Sequence, residues 1–451
     1  MDDARIKLEE EFLNKVKSKI TFSQPAAEKQ KIILDAFCDF CNALGDKECE
    51  EKLSYLRDEK NKVDMLSGVQ SYGIITPLLD DPEVEDIIIN ATGPVYVHHA
   101  KDGLKETDIH FETLQELELL IKKIAIYSGN DMSKKISNVD LPGMRGRVNI
   151  VYSPRGPDLT ITIIKANPLS IVELIEEATL TSEMAALLWL YIEGAKVYPT
   201  NLVISGGPGS GKTTLLNALL SFIPTDQHVV VIEDTYELLT DWIGNVSRLE
   251  SDDDLSLADL VKNSLRMRPD RIIIGEVRGS EAQDLATAMN IGKYCMATIH
   301  ASSVRETILR LQSNPMNISE TLVNLFDCFV VMRKINVNNR IHRVVEAIAE
   351  TAGLEQKTVL ISPLWGFDIA SERFKKLSPT SVYRDKLSRS SGLSGREILE
   401  EIEMRRRFID GLCKAGIRGI KDVAKYCEWY IKDPRQAFEE IKPYAQDKKF
   451  V

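Results

Sequence analysis

The run Gly206-Gly207-Pro208-Gly209-Ser210-Gly211-Lys212-Thr213 constrains this chain more than any other segment. It follows an apolar stretch at 201–205 and precedes a helical pattern from Leu215, so the reading is strand, glycine loop, helix. Glycines at these positions let backbone N–H groups curl around a phosphate, and a helix N-terminus adds about half a unit of positive charge. Lys212 then reaches the β/γ-phosphates and the Thr213 hydroxyl ligates Mg²⁺, with Thr214 flanking the loop. The loop implies a bound nucleoside triphosphate and leaves open what is done with it.

Around this loop, apolar runs at 201–205, 229–232, 271–274 and 296–299 alternate with helical patterns. Strands apolar throughout and separated by helices belong to a mostly parallel sheet covered on both faces. We expect an α/β domain over 181–350. Residues 1–65 alternate charged and apolar positions at helical spacing and read as a helical N-terminal extension. Residues 66–166 carry short β-type runs at 85–90, 94–98 and 147–152 around a helical stretch at 114–128, an α+β domain. Residues 167–180 read as a linker, because Pro168 disfavours helix at the residue before it. Residues 351–451 read as a mostly helical C-terminal extension, with a short β-like piece first and helix from 394 to about 444.

Two acids stand at strand ends, where open α/β sheets bind their ligands. Glu233, in Ile232-Glu233-Asp234-Thr235, closes the second sheet strand; Glu276 closes another, after Gly275, where a Walker B strand ordinarily carries Asp. Glu276 is expected to serve Mg²⁺ or the attacking water, and Glu233 is the better candidate for orienting or deprotonating that water.

In order and spacing, GGPGSGKTT at 206–214, IEDTYEL at 232–238, LRMRPDRIIIGEVRG at 265–279 and ATIHASS at 297–303 resemble the type II/type IV secretion-system ATPases. That superfamily comprises hexameric motors behind pilus assembly, secretion and archaellum rotation. The resemblance implies a RecA-like P-loop ATPase domain using ATP and Mg²⁺, in a homo-hexamer. It places His300 near the γ-phosphate as a sensor. Arg266 and Arg268 ahead of the Walker B strand, and Arg278 after it, read equally as a solvated face or as catalytic, nucleotide-binding or intersubunit groups. The resemblance also implies that Arg147 and Arg155 of the N-terminal domain are lent to the nucleotide, an effect worth on the order of 10³–10⁵ in rate where an arginine completes such a site. The stretches 314–317 and 326–350 look most like archaeal members. Three positions depart from the family pattern: Ile164 replaces a usual Arg, Lys293 a usual His, and Cys295 a usual Gly. Lys293 is read as a replacement positive charge.

Composition limits the alternatives. The 57 Lys+Arg against 68 Asp+Glu give a net charge of −11, which argues against a nucleic-acid-coating role. No apolar run reaches the ~18–20 residues of a membrane span, and the acidic N-terminus is unlike a signal peptide. Seven cysteines suit a reducing compartment. A cytoplasmic protein at the inner face of the plasma membrane is expected. The implied partners are a polytopic membrane platform protein and, indirectly, pilin or archaellin assembly machinery. The terminal helical segments are candidate docking surfaces, and Arg405-Arg406-Arg407 among Glu397, Glu400, Glu401 and Glu403 reads as a solvated charged helix. The weaker readings are a DNA-translocating motor, a nucleotide-gated adaptor without turnover, and metal binding at Cys38, Cys41 and Cys49.

Overall fold

The computed structural model describes residues 3–21, 24–43, 59–129, 135–141, 146–164, 167–251, 254–337 and 340–441. Cys49, Arg145 and Lys165 lie outside them. The chain divides into two compact units, Met1–Ala166 with Asn339–Ile341, and Asn167–Asn338 with His342–Val451.

The N-terminal unit opens with three helices, α1 (Asp3–Val16), α2 (Ala26–Ala43) and α3 (Glu59–Gln70). Phe12 on α1 meets Phe37 and Phe40 on α2 edge-on, with ring centroids 5.7 and 5.8 Å apart. Cys38 on α2 is exposed and Cys41 half-buried, and among the described residues no cluster of three metal-ligating side chains forms. Next come β1 (Val84–Asn90), β2 (Pro94–His99), β3 (Gly103–His110), α4 (Leu114–Ser128), β4 (Ile136–Asp140), β5 (Gly146–Ser153) and β6 (Gly156–Ile163). The strands form one sheet in the order β3-β2-β1-β6-β5-β4, its pairs antiparallel. Helix α4 starts at Thr113, whose hydroxyl accepts the Glu116 N–H, and ends at Gly129 with φ 83°. One face of α4 buries Leu117, Leu120, Ile121 and Ile124 against the sheet. Its other face, Leu119, Ile126 and Tyr127, closes the core of the first three helices. The N-terminal helices are therefore packed on the α+β domain, with the Tyr127 hydroxyl donating to Val69 O at 3.0 Å.

The second unit starts where a linker was expected. Ser170 caps α5 (Ile171–Glu176) in a reciprocal capping box with Glu173, and Ile171 and Val172 are fully buried. A sequence read at Pro168 alone misses this single capped turn. Then follow α6 (Ser182–Glu193), β7 (Leu202–Gly206), α7 (Lys212–Leu220), β8 (Val229–Glu233), β9 (Val246–Glu250), α8 (Leu257–Ser264), β10 (Arg271–Val277), α9 (Glu281–Asn290), β11 (Tyr294–Ile299), α10 (Val304–Gln312), β12 (Cys328–Val337), β13 (Arg340–Glu355), β14 (Thr358–Asp368) and β15 (Arg373–Lys376). The sheet order is β15-β14-β13-β12-β7-β11-β10-β8-β9. From β12 to β9 every neighbouring pair is parallel. Helices cover both faces in two separate cores, the arrangement of a RecA-like α/β domain.

Four helices end the described chain: α11 (Val382–Ser391), α12 (Gly395–Ala415), α13 (Ile420–Lys432) and α14 (Pro434–Ile441). Their apolar faces are already engaged, since Phe408, Leu412, Val423 and Tyr430 bury with Trp189 of α6. Arg405 is not a solvated charge: it is buried, donates to Glu193 and Glu401 at 2.8 Å each, and lies 4.8 Å over the Trp189 ring. Arg406 and Arg407 do face outward, paired with Glu403. Among the described residues no helix is long and apolar enough to cross a membrane.

Candidate nucleotide site

Because β7, β8, β10 and β11 are parallel neighbours, their carboxyl ends lie on one edge of the sheet. Residue Ser205 pairs with Ile299, and Ile274 pairs with both Ile232 and Ala297, so the glycine loop, Glu233, Glu276 and His300 arrive together. Gly206 turns the chain out of β7 at φ 159°, and a Cβ there would lie 2.4 Å from Ser210 Oγ. Gly211, at φ 91°, caps α7, and Lys212 is its first residue.

Lys212 is buried, and its Nζ lies 3.2 Å from both Gly207 O and His300 Nδ1. An ammonium can only donate, so His300 accepts at Nδ1 and carries its proton on Nε2. That nitrogen sits 2.7 Å from Glu276 Oε1, and Glu276 Oε2 accepts from Arg278 at 2.6 Å. Lys212, His300, Glu276 and Arg278 thus form one alternating chain of charge and dipole. Burial pulls the lysine below its ordinary range while Glu276 pulls it back up. Burial and then Lys212 hold the His300 imidazole below its ordinary value, which favours the neutral ring. Burial raises the Glu276 carboxyl, but Arg278, His300 and Lys212 outweigh it, so Glu276 stays ionised.

Glu233 has a different setting. It is 2% exposed; Oε1 accepts the N–H groups of Glu237 and Leu238 at 2.9 and 2.8 Å, and Oε2 accepts from Arg248 on β9 at 3.3 Å. Burial nevertheless outweighs these partners and raises its pKa from the ordinary glutamate value. Asn217 on α7 accepts the Leu239 N–H at 2.8 Å, so the acidic loop after β8 is tied to the glycine-loop helix as well. Glu233 anchors this loop, whereas Glu276 is the acid that faces Lys212 and His300. Arg248 and Asn217 escaped the sequence reading because β9 alternates polar residues and Asn217 stands mid-helix, where neither announces a site.

The remaining expected residues fall elsewhere. Arg278 also approaches Asp234 at 4.0 Å, across the acidic loop. Arg266 and Arg268 are exposed and precede β10, whose seven residues carry them roughly 20 Å from its Glu276 end. Within this chain they do not meet the glycine loop, and neither pairs with a carboxylate among the described residues. Lys293 and Cys295 likewise stand at the amino end of β11, the edge opposite His300, so Lys293 supplies no charge to this site. Arg147, on β5, and Arg155, in the β5–β6 turn, are exposed residues of the N-terminal unit, and Ile164 follows β6 half-buried.

A profile of the family described as Type II/IV secretion system protein matches residues 70–331, well over half of the 451-residue chain. The chain belongs to that family. An uncharacterised protein of Methanocaldococcus jannaschii is 31% identical over 354 residues, 75% of this chain and 63% of that one. A second from the same organism is 32% identical over 265 residues, 57% of this chain and 96% of that one. The type IV secretion system protein VirB11 of Bartonella henselae is 29% identical over 270 residues, 51% of this chain and 75% of that one. This chain therefore spans less than two thirds of the first of these relatives. The family match covers all four strand ends described above, and stops in β12.

A triphosphate with a divalent cation fits this edge. Ser210 Oγ and Glu276 Oε1 are buried without a well-directed hydrogen bond, and the glycine positions leave no side chain in the way. Thr213 and Glu276 are the residues that would hold Mg²⁺, which ordinarily takes only one or two protein oxygens and draws the rest from phosphate and water.

Proposed function

We propose that this chain hydrolyses ATP and works as a homo-hexameric motor at the cytoplasmic face of a membrane. There it drives assembly of a type IV pilus-like filament, an archaellum or a secretion system through a polytopic membrane platform protein. The observation that carries the reading is the contact chain from Lys212 through His300 to Glu276 at the mouth of the glycine loop. A cation, a neutral histidine and an ionised acid at one loop suit phosphoryl transfer, where positioning and electrostatics do most of the catalysis.

In this reading the loop N–H groups and Lys212 bind the phosphates, and Mg²⁺ when bound neutralises their charge. Glu276 orients and accepts a proton from the attacking water, with His300 at its side reporting on the γ-phosphate. Glu233 holds the acidic loop in register and Arg278 keeps Glu276 ionised. The Arg147 and Arg155 side chains complete the site from the N-terminal domain. The family membership supports the secretion and pilus side of the proposal. The test is Mg²⁺-dependent ATP hydrolysis by purified full-length protein, abolished in Lys212→Ala, with the active species hexameric by light scattering. A wild-type protein without turnover, or a Lys212→Ala variant with full turnover, refutes the proposal.

A further inference from the structure

Strand β7 stops at Gly206, but its parallel neighbour β12 does not. Met332 pairs with Gly206, and β12 runs on to Val337 before β13 returns beside it. The overhanging ribbon therefore flanks the glycine loop. Its loop-facing side is marked by Met332, whose Cε lies 3.5 Å from where a Cβ on Gly211 would stand. Side chains alternate along a strand, so Lys334 shares that side and Arg333 does not. Arg333 instead pairs with Glu346 of β13 at 2.5 Å.

Two basic groups reach the loop from this ribbon. Arg343 Nε donates to Gly209 O at 2.9 Å, and its Cδ lies 3.4 Å from the Cβ position of Gly211. Lys334 Nζ lies 3.8 Å from the Cβ position of Gly209. Gly209 sits at φ 65°, so a guanidinium on its carbonyl fixes a peptide that glycine would otherwise leave free to rotate. Lys334 is exposed and has no ion-pair or hydrogen-bond partner among the described residues.

We propose that the β12–β13 ribbon is a second nucleotide-binding element supplied within the same chain. Arg343 is a positioning residue that holds the Gly209–Ser210 peptide in its phosphate-binding orientation. Lys334 is a cation that attracts the phosphate chain directly. This rests on the nucleotide-site reading above. It adds two residues that no part of the glycine-loop signature contains, and it assigns them different physics: a hydrogen bond in one case and a solvent-exposed charge in the other.

The difference supplies the test. Full-length wild type, Arg343→Ala, Lys334→Gln and Lys212→Ala are titrated with ADP and with the β,γ-imido analogue of ATP, each at low and high salt. Arg343→Ala is expected to weaken both nucleotides roughly tenfold at either salt, since the hydrogen bond it removes is local. Lys334→Gln is expected to weaken them several-fold at low salt and hardly at all at high salt, because an exposed charge is screened. Lys334→Gln alters only an exposed side chain, so it remains informative if Arg343→Ala is poorly folded. Both variants binding within twofold of wild type at low salt, while Lys212→Ala loses binding, overturns the ribbon proposal and leaves the nucleotide site standing. Wild-type binding by Lys212→Ala removes the site and this proposal together.

Discussion

The Glu233 side chain occupies the space that a side chain at Gly275 would need. A Cβ on Gly275 would stand 3.0 Å from Glu233 Cγ and 3.4 Å from its Oε1. Where a Walker B strand ordinarily carries Asp, β10 carries Gly275, and the neighbouring strand β8 places the buried Glu233 carboxylate beside it. Gly275→Ala is therefore an overpacking substitution, expected to cost about 1–3 kcal/mol. Gly275→Asp adds a second carboxylate against one already buried, and is expected to destabilise more, increasingly so as pH rises above the carboxylate range. Guanidinium denaturation of both variants at pH 5 and pH 8 checks this. Equal stability of Gly275→Asp and Gly275→Ala at pH 8 would contradict it.

The two acids are predicted to separate kinetically. Glu276 faces Lys212 and His300, while Glu233 is held by two backbone N–H groups and Arg248. Glu276→Gln is expected to lower kcat by about 10²-fold or more with nucleotide affinity retained, as loss of a general base does. Glu233→Gln is expected to lose less turnover and to loosen the loop over 234–240. Steady-state kinetics paired with proteolysis of that loop distinguishes them. A larger kcat loss in Glu233→Gln returns the base to that residue.

His300 gives a pH signature. Burial and the adjacent Lys212 favour its neutral form, Glu276 opposes them and Arg278 adds to them, and the net pKa lies below the ordinary 6.5. The unfolded chain therefore binds a proton at higher pH than the native one does. The contribution to stability is complete above about 6.5 and is lost as pH falls through the lower, folded value. Replacing His300 with Gln removes this dependence, so its denaturation midpoint is expected to fall less than that of wild type between pH 7 and pH 5. Superimposable pH profiles would refute the assignment.

The parts of the fold legible in the sequence are those whose environment is uniform. Strands β7, β8, β10 and β11 are buried on both faces, so their apolar runs announce them, and each delivers its site residue one or two steps past the run. Strand β3 escapes notice because Leu104, Lys105, Glu106 and Asp108 stand on a sheet edge, and β9 because Arg248 and Glu250 interrupt it. The β12–β13 ribbon is long, but its overhanging half is polar and supports no core. Arg343 and Gly209 are 134 residues apart, so no local spacing relates them. Only the parallel pairing of β12 with β7 does.

A still longer distance in sequence, 212 residues, separates the members of the buried pair that joins the helical tail to the α/β core. Arg405 and Glu193 are 5% and 2% exposed at the side chain and lie 2.8 Å apart, with the Arg405 guanidinium over Trp189. Two charges withdrawn from water repay that cost only while both are present. Arg405→Ala leaves Glu193 buried without its partner and empties the space under Trp189, so a loss of about 3–5 kcal/mol is expected. Replacing the pair together, Arg405→Met with Glu193→Leu, removes both charges and keeps the volume, and is expected to be far milder, close to neutral. Denaturation of Arg405→Met, Glu193→Leu and the double variant forms a thermodynamic cycle. Additive losses in that cycle would mean that the ion pair contributes nothing, and that helix α12 is held to α6 by its apolar face alone.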